Sequence, residues 1–283
     1  MLSSGEEQYI LKNAKIPEHI PALMAGISRA DLFLVEGFLC LAKDDWLVFV
    51  GYPLEGDFSE NSFSLALEKA RAWKRPLHTW LIAPEIPASL TAQTRSRETD
   101  FYYLLDLQKP QFGSRLIRAV EQATQELTVT ASRDFSREHT LLTEEFLRRQ
   151  ELPPRVHHLY LRMKDYLSFS GTSLLLSAWD RDNRLSAYYV LELGAEKFLA
   201  YVVGCHSKTN YVPHASDFLF WEMVAAAQKN RKEYIHLGLG VNEGIARFKK
   251  KWGGVPFLKY ESGEISPAEK GVFSWIRALA ARL

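Results

Sequence analysis

The chain has 283 residues, 47% of them hydrophobic and 24% charged, which is enough apolar material for one large core or two ordinary ones and excludes a disordered chain. Thirty-five Lys and Arg against 34 Asp and Glu leave a formal net charge of +1, so no global field steers the protein to nucleic acid or to an anionic bilayer. Any basic partner site must be local.

The first ten residues, MLSSGEEQYI, are acidic where a secretory signal is basic. The apolar run from Leu32 to Leu41 is interrupted by Glu36 and falls short of the ~18 residues a spanning helix needs. A cytoplasmic protein without a membrane span is expected. Phe38 to Tyr52 reads as strand, turn and strand, with Lys43, Asp44 and Asp45 in the turn. Phe63, Leu67, Ala70 and Trp73 recur at helical spacing and predict a helix from Glu60 to Lys74. Beyond Pro76, Leu77 to Ile82 reads as a strand; a polar stretch, Thr91 to Asp100, leads to another at Phe101 to Leu107. Lys109 and Pro110 mark a boundary between domains at 1–109 and 110–283.

The second half opens with a helix at Ser114 to Glu126, a strand at Leu127 to Ala131 and helices at Ser136 to Gln150 and Pro154 to Tyr166. An antiparallel meander follows at Thr172 to Trp179, Leu185 to Leu193 and Lys197 to Cys205. A long helix from Ala215 to Asn230, a strand at Tyr234 to Leu239, a basic helix, a strand at Pro256 to Tyr260 and a helix from Pro267 complete the chain. Phe49-Val50-Gly51 before the first long helix matches Val202-Val203-Gly204 before the second, which favours an abbreviated first copy of the second half, with two unrelated α/β halves as the alternative. Cys40 and Cys205 each sit in an apolar run, as reduced core thiols do.

The most informative segment is HLGLGVNEGIARFKKKWGG, His236 to Gly254. Gly238 and Gly240 allow a sharp turn or a close ligand approach, and Asn242 is placed to cap a helix from Glu243. The glycine spacing fits neither a Rossmann fingerprint nor a P-loop. Ile245, Phe248 and Trp252 share one helix face, which packs on a sheet in the simplest reading. Arg247, Lys249, Lys250 and Lys251 spread round the rest, where a solvated charged face is the simplest reading. The start of the long helix, VPHASDFLFWEM, offers free N–H groups and a positive dipole end, with Ser216 or Asp217 available as a cap. The eight histidines show no metal-ligand spacing, so no metal is assigned, and no Gly-x-Ser-x-Gly elbow is present. His206 and His214 flank this region as candidate bases.

These two segments resemble the terminal part of the tandem acetyltransferase-like (GNAT) folds: the Fem-type aminoacyltransferases, the carboxy-terminal domain of phosphatidylglycerol lysyltransferase and its soluble DUF2156 relatives. The resemblance implies an α+β fold of two GNAT-like domains with mixed sheets and a cleft between them. It also implies transfer of an activated aminoacyl or acyl group to an amine or hydroxyl on a small molecule, lipid or peptide. Fem-type enzymes end in a similar Phe-Lys-x-x-Phe/Trp-Gly pattern, whose lysine matches Lys249. That match implies a catalytic ammonium on the cleft rim, stabilising the developing oxyanion. Asp217 matches the aspartate of an Asp-Phe-Leu-Phe stretch and is implied to orient the acceptor or take its proton. Phe248, Arg247, Gly238, Gly240, Asn242, His214 and Ser216 are the implied donor and substrate contacts. No tightly bound cofactor is expected, and the donor is either aminoacyl-tRNA or acyl-CoA. His214-Ala215-Ser216-Asp217 replaces the glycine-rich loop that wraps the pyrophosphate in acetyl-CoA enzymes, and Gly204-Cys205-His206-Ser207-Lys208 replaces the Asp-Leu-Met-Arg run of the lipid enzymes. An acyl-CoA-dependent N-acetyltransferase and a binding protein without turnover on the same duplicated fold are the alternatives.

Overall fold

The computed structural model describes residues 2–108, 110, 112–152 and 154–266; the helix expected from Pro267, and Lys109 of the expected boundary, lie outside them. In chain order the elements are α1 (Ser4–Asn13), α2 (Pro21–Ser28), β1 (Asp31–Val35), β2 (Phe38–Lys43), β3 (Trp46–Val50), α3 (Glu60–Lys74), β4 (His78–Ala83), the single turn α4 (Ala88–Thr91) and β5 (Thr94–Asp106). Then come α5 (Ser114–Glu126), β6 (Leu127–Ser132), α6 (Arg137–Arg149), α7 (Pro154–Leu161), α8 (Met163–Phe169), β7 (Ser173–Asp180), β8 (Leu185–Glu192) and β9 (Phe198–His206). The last are α9 (Ala215–Lys229), β10 (Tyr234–Leu239), α10 (Glu243–Lys251) and β11 (Val255–Ile265).

The chain divides into two compact units. The first runs to Tyr103 and takes in Leu239–Val241 and the described residues from Pro256; the second holds Leu104–Gly238 and Asn242–Val255. In the first unit the strand order is β1-β2-β3-β4-β11-β5. β1, β2 and β3 form an antiparallel meander, and β4 runs parallel to β3 from Trp46↔His78 to Val50↔Ile82. In the second unit the order is β10-β9-β8-β7-β6, where β7, β8 and β9 form the meander and β10 runs parallel to β9. Each unit therefore repeats three antiparallel strands, a helix (α3 or α9) and a strand parallel to the third. This is the mixed α+β arrangement expected from the sequence, and its repetition is the duplication expected there.

Local chemistry explains most elements. Glu36 (φ 49°) and Gly37 (φ 79°) close the β1–β2 hairpin, so the apolar run at Leu32 to Leu41 is two strands folded at the residue that interrupts it. α1 begins with a reciprocal cap: Glu6 N–H donates to the Ser3 hydroxyl at 3.3 Å and Ser3 N–H to the Glu6 carboxylate at 2.8 Å. That Ser-x-x-Glu signature is present in the sequence, although the sequence reading assigns no helix there. On α3 the buried stripe is Phe63, Ala66, Leu67 and Ala70, whereas Trp73 is 61% exposed and lies edge-on to Phe33. The expected stripe is thus one turn too long. Phe63 packs against Phe38 and Phe49 in the first unit's core, and each fully buried phenyl contributes roughly 2–3 kcal/mol.

Two strands depart from expectation. β5 starts at Thr94 rather than Phe101, because Arg95 to Glu98 pair by their backbone while their side chains stay exposed. β11 extends to Ile265 and pairs antiparallel with β4, from Glu261↔Ala83 to Ile265↔Thr79. The sequence order alone assigns this strand to the second half; pairing across 180 residues leaves no local mark.

Candidate functional site

The second unit gathers the candidate residues where β9 and β10 end. Their parallel ladder runs from Tyr234↔Phe198 only to His236↔Ala200. On its other side β9 carries an irregularity, with Val203 opposite Val190 but Tyr201 opposite Leu191, so one residue is extra and the strand bends. Just past the last β9–β10 pair, Gly238 adopts φ 72°, a conformation open to glycine. A Cβ there would lie 3.9 Å from the Lys249 Nζ and 3.7 Å from the Tyr201 carbonyl oxygen. The lysine ammonium therefore sits beside the turning backbone, at the point where the two strands stop pairing.

Lys249 is 4% exposed. This corrects the expected rim position. Ile245, Phe248, Lys249 and Trp252 occupy one i, i+3, i+4, i+7 stripe of α10, and the turn carrying Lys249 is drawn against β10 by Gly254. Gly254 N–H donates to the Lys249 carbonyl at 2.9 Å. A Cβ on Gly254 would come within 2.7 Å of Leu237 Cδ1 and 2.8 Å of that carbonyl oxygen. Gly254→Ala is expected to push this turn off the strand and to cost about 1–3 kcal/mol, read as a lower denaturant midpoint at unchanged slope. A wild-type midpoint would show that the turn has room to give.

Asp217, 5% exposed on the first turn of α9, gathers four contacts. Lys251 Nζ donates to both carboxylate oxygens, at 2.6 and 2.8 Å, Trp252 Nε1 donates to Oδ1 at 3.1 Å, and His214 Nδ1 lies 3.2 Å from Oδ2. The aspartate thus ties the start of α9 to the end of α10. Its cation is Lys251, not Lys249, and neither Asp217 nor Ser216 serves as the side-chain cap the sequence allowed. The N-cap is His214, held at φ 65° with no side-chain cap bond. Ser216 contributes its carbonyl, which accepts from the Tyr189 hydroxyl at 2.8 Å. Burial pushes the Tyr189 and Tyr201 phenols above their ordinary range, so both are neutral donors. Trp252 stacks on Phe220 at 4.5 Å and Phe248 meets the same ring at 5.7 Å, so both aromatics pack on α9, where the sequence expected a sheet.

The connection from β9 to α9 is lined by a second carboxylate. Glu145 on α6 accepts from Ser207 Oγ at 2.7 Å and from the backbone N–H groups of Lys208 and Thr209 at 2.5 and 3.3 Å. Burial works against its charge, yet these donors hold the carboxyl below its ordinary range. The sequence reading missed Glu145, Tyr189 and the Asp217–Lys251 pair; each contact joins residues 27 or more apart and has no local signature.

The other candidates take no part in the contacts above. Arg247 and Lys250 are exposed. Asn242 caps α10 as the sequence predicts, accepting from Ile245 N–H at 2.9 Å. Gly240 belongs to the first unit, where its N–H donates to the Phe101 carbonyl at 3.2 Å. A Cβ there would lie 2.8 Å from Asp100 Oδ1. Val241, a β-branched residue at φ 60°, donates its N–H to Asp100 Oδ2 at 2.8 Å. Among the described residues no group of three or more His, Cys, Asp or Glu is arranged to hold a metal ion, and no helix is long and apolar enough to cross a membrane.

No family model and no curated protein matches the chain. Solved structures do. The chain is similar to the C-terminal DUF2156 domain of an assigned lysylphosphatidylglycerol synthetase of Agrobacterium fabrum, at 15% identity and a TM-score of 0.59 over 92% of both chains. It is similar to FemX, at 11% identity and a TM-score of 0.63 over 92% of this chain and 96% of that one. It is also similar to a tandem GNAT protein of the clavulanic acid biosynthesis pathway, at 10% identity and a TM-score of 0.54 over 95% and 97%. The chain has the tandem GNAT fold of these proteins.

Proposed function

We propose that the protein transfers an aminoacyl group from an ester donor, of the aminoacyl-tRNA kind, to an amine or hydroxyl acceptor. The observation that carries this reading is the buried Lys249 ammonium beside Gly238, where β9 and β10 part. Taking an ammonium out of water costs on the order of several kcal/mol, so such a group is retained where negative charge must be met. A carbonyl carbon attacked at this point develops an oxyanion, and a fixed cation in a dry site stabilises it without reorganising. In this reading Gly238 supplies the close backbone approach to the donor, and Asp217 holds α9 and α10 together around the ammonium.

Two carboxylates favour an aminoacyl ester over acyl-CoA. Glu145 occupies the N–H groups of Lys208 and Thr209, and Asp217 lies in the first turn of α9. A pyrophosphate seated at that helix start would meet the Asp217 carboxylate, and in the connection before it the Lys208 and Thr209 N–H groups are already taken. The name of the Agrobacterium fabrum relative adds a lysyl group and a phospholipid to the acceptors and donors worth testing.

The test supplies tRNA charged with labelled amino acids, or acyl-CoA thioesters, together with phosphatidylglycerol vesicles, a lysine-containing peptide or a polyamine. Labelled amide or ester from charged tRNA is the expected product. Product from thioesters alone would replace the donor assignment, and no product from either donor, with no thermal shift on adding them, would leave a fold without this activity.

A further inference from the structure

We propose that His214 is the base that takes the proton from the attacking acceptor, an inference that rests on the acyl-transfer reading. Its Nδ1 lies 3.2 Å from Asp217 Oδ2, and that carboxylate is buried and engaged by the Lys251 ammonium. An ionised carboxylate only accepts, so the imidazole carries its proton on Nδ1 and leaves the Nε2 lone pair outward. Among the described residues Nε2 has no hydrogen-bond partner, and the side chain is 38% exposed. Asp217 in turn is locked by Lys251 and Trp252, so the ring has a fixed support behind it and solvent-side access in front.

The backbone adds an independent observation. His214 is in the left-handed region at φ 65°, which histidine visits several-fold more often than most L-residues. It sits at the N-cap of α9 without capping it, and its imidazole instead meets Asp217 one turn on. The same helix start reaches the Lys249 neighbourhood through Tyr189, whose hydroxyl donates to Ser216 and whose ring lies 4.9 Å from that of Tyr201, the residue whose carbonyl faces Gly238.

The chemical step balances. The acceptor nitrogen or oxygen lone pair forms a bond to the donor carbonyl carbon, its proton passes to Nε2, and the C–O electrons of the ester return to the leaving ribose oxygen. The imidazolium then gives that oxygen the same proton, leaving product, a free hydroxyl and neutral His214.

His214→Gly removes the ring and suits the backbone, so the melting temperature is expected to hold or rise while kcat falls by about 10²–10⁴-fold. Imidazole added to the buffer should restore part of the rate. Wild-type turnover in this variant overturns the inference and leaves the acyl-transfer reading standing. A loss of rate that imidazole does not restore, or one accompanied by a lower melting temperature, returns His214 to a structural role and equally overturns it. A wild-type protein that turns over no donor removes both. Nitrogen NMR of the wild-type imidazole needs no turnover: the neutral ring should be the Nδ1–H tautomer, and finding Nε2–H excludes the base whatever the donor.

Discussion

Lys249→Met is expected to lower kcat/KM by roughly 10²–10³-fold, the cost of losing one fixed charge at an oxyanion, which corresponds to about 3–4 kcal/mol of transition-state stabilisation. Methionine keeps the stem's bulk in the α10 stripe and removes only the ammonium. Because the residue is 4% exposed, the melting temperature of the variant is read beside its kinetics. Lost turnover in a protein that still folds separates a catalytic cation from a packing residue. Lys250→Met is the control: Lys250 is exposed and one position round the helix, and its loss should alter turnover little. Equal, small effects from both substitutions would remove Lys249 from the chemistry.

The helix stripe that buries Lys249 was legible in the sequence, and its consequence was not. Ile245, Phe248 and Trp252 read as one face, and Lys249 stands at the i+4 position of that face. Lys249 lies about 100° round the helix from Phe248, from where a long side chain reaches the rim, which is why the sequence places it there. Its burial depends on Gly254 meeting Leu237 of β10, a contact set by tertiary packing. Asn242 was legible because capping is local, and both meanders were legible because alternation and turns are local. The β4–β11 pair and the contacts of Asp217 with Lys251 and Trp252 were not, since each joins distant segments whose own patterns are complete without it.

Asp217→Ala should destabilise the second unit by about 2–4 kcal/mol, more than the ~1 kcal/mol that loss of a simple helix cap costs. The reason is what it leaves behind. Trp252 is 1% exposed and its indole N–H donates to Asp217, so removing the carboxylate strands a buried donor at the centre of the α9–α10 contact. Lys251 suffers less, because its side chain is 44% exposed and its ammonium can return to water. Lys251→Met should therefore cost about 1 kcal/mol or less, as exposed ion pairs do. Asp217→Asn, which keeps an oxygen for the indole while losing the charge, should fall between the two. Thermal unfolding of the three variants makes the ordering measurable, with a fall of roughly 5–12 °C for the alanine. If Asp217→Ala and Lys251→Met lower the melting temperature equally, the buried indole bond carries no weight and the stabilisation is the ion pair alone. If the alanine variant melts like wild type, Asp217 is not the tie between the two helices, and the support behind His214 goes with it.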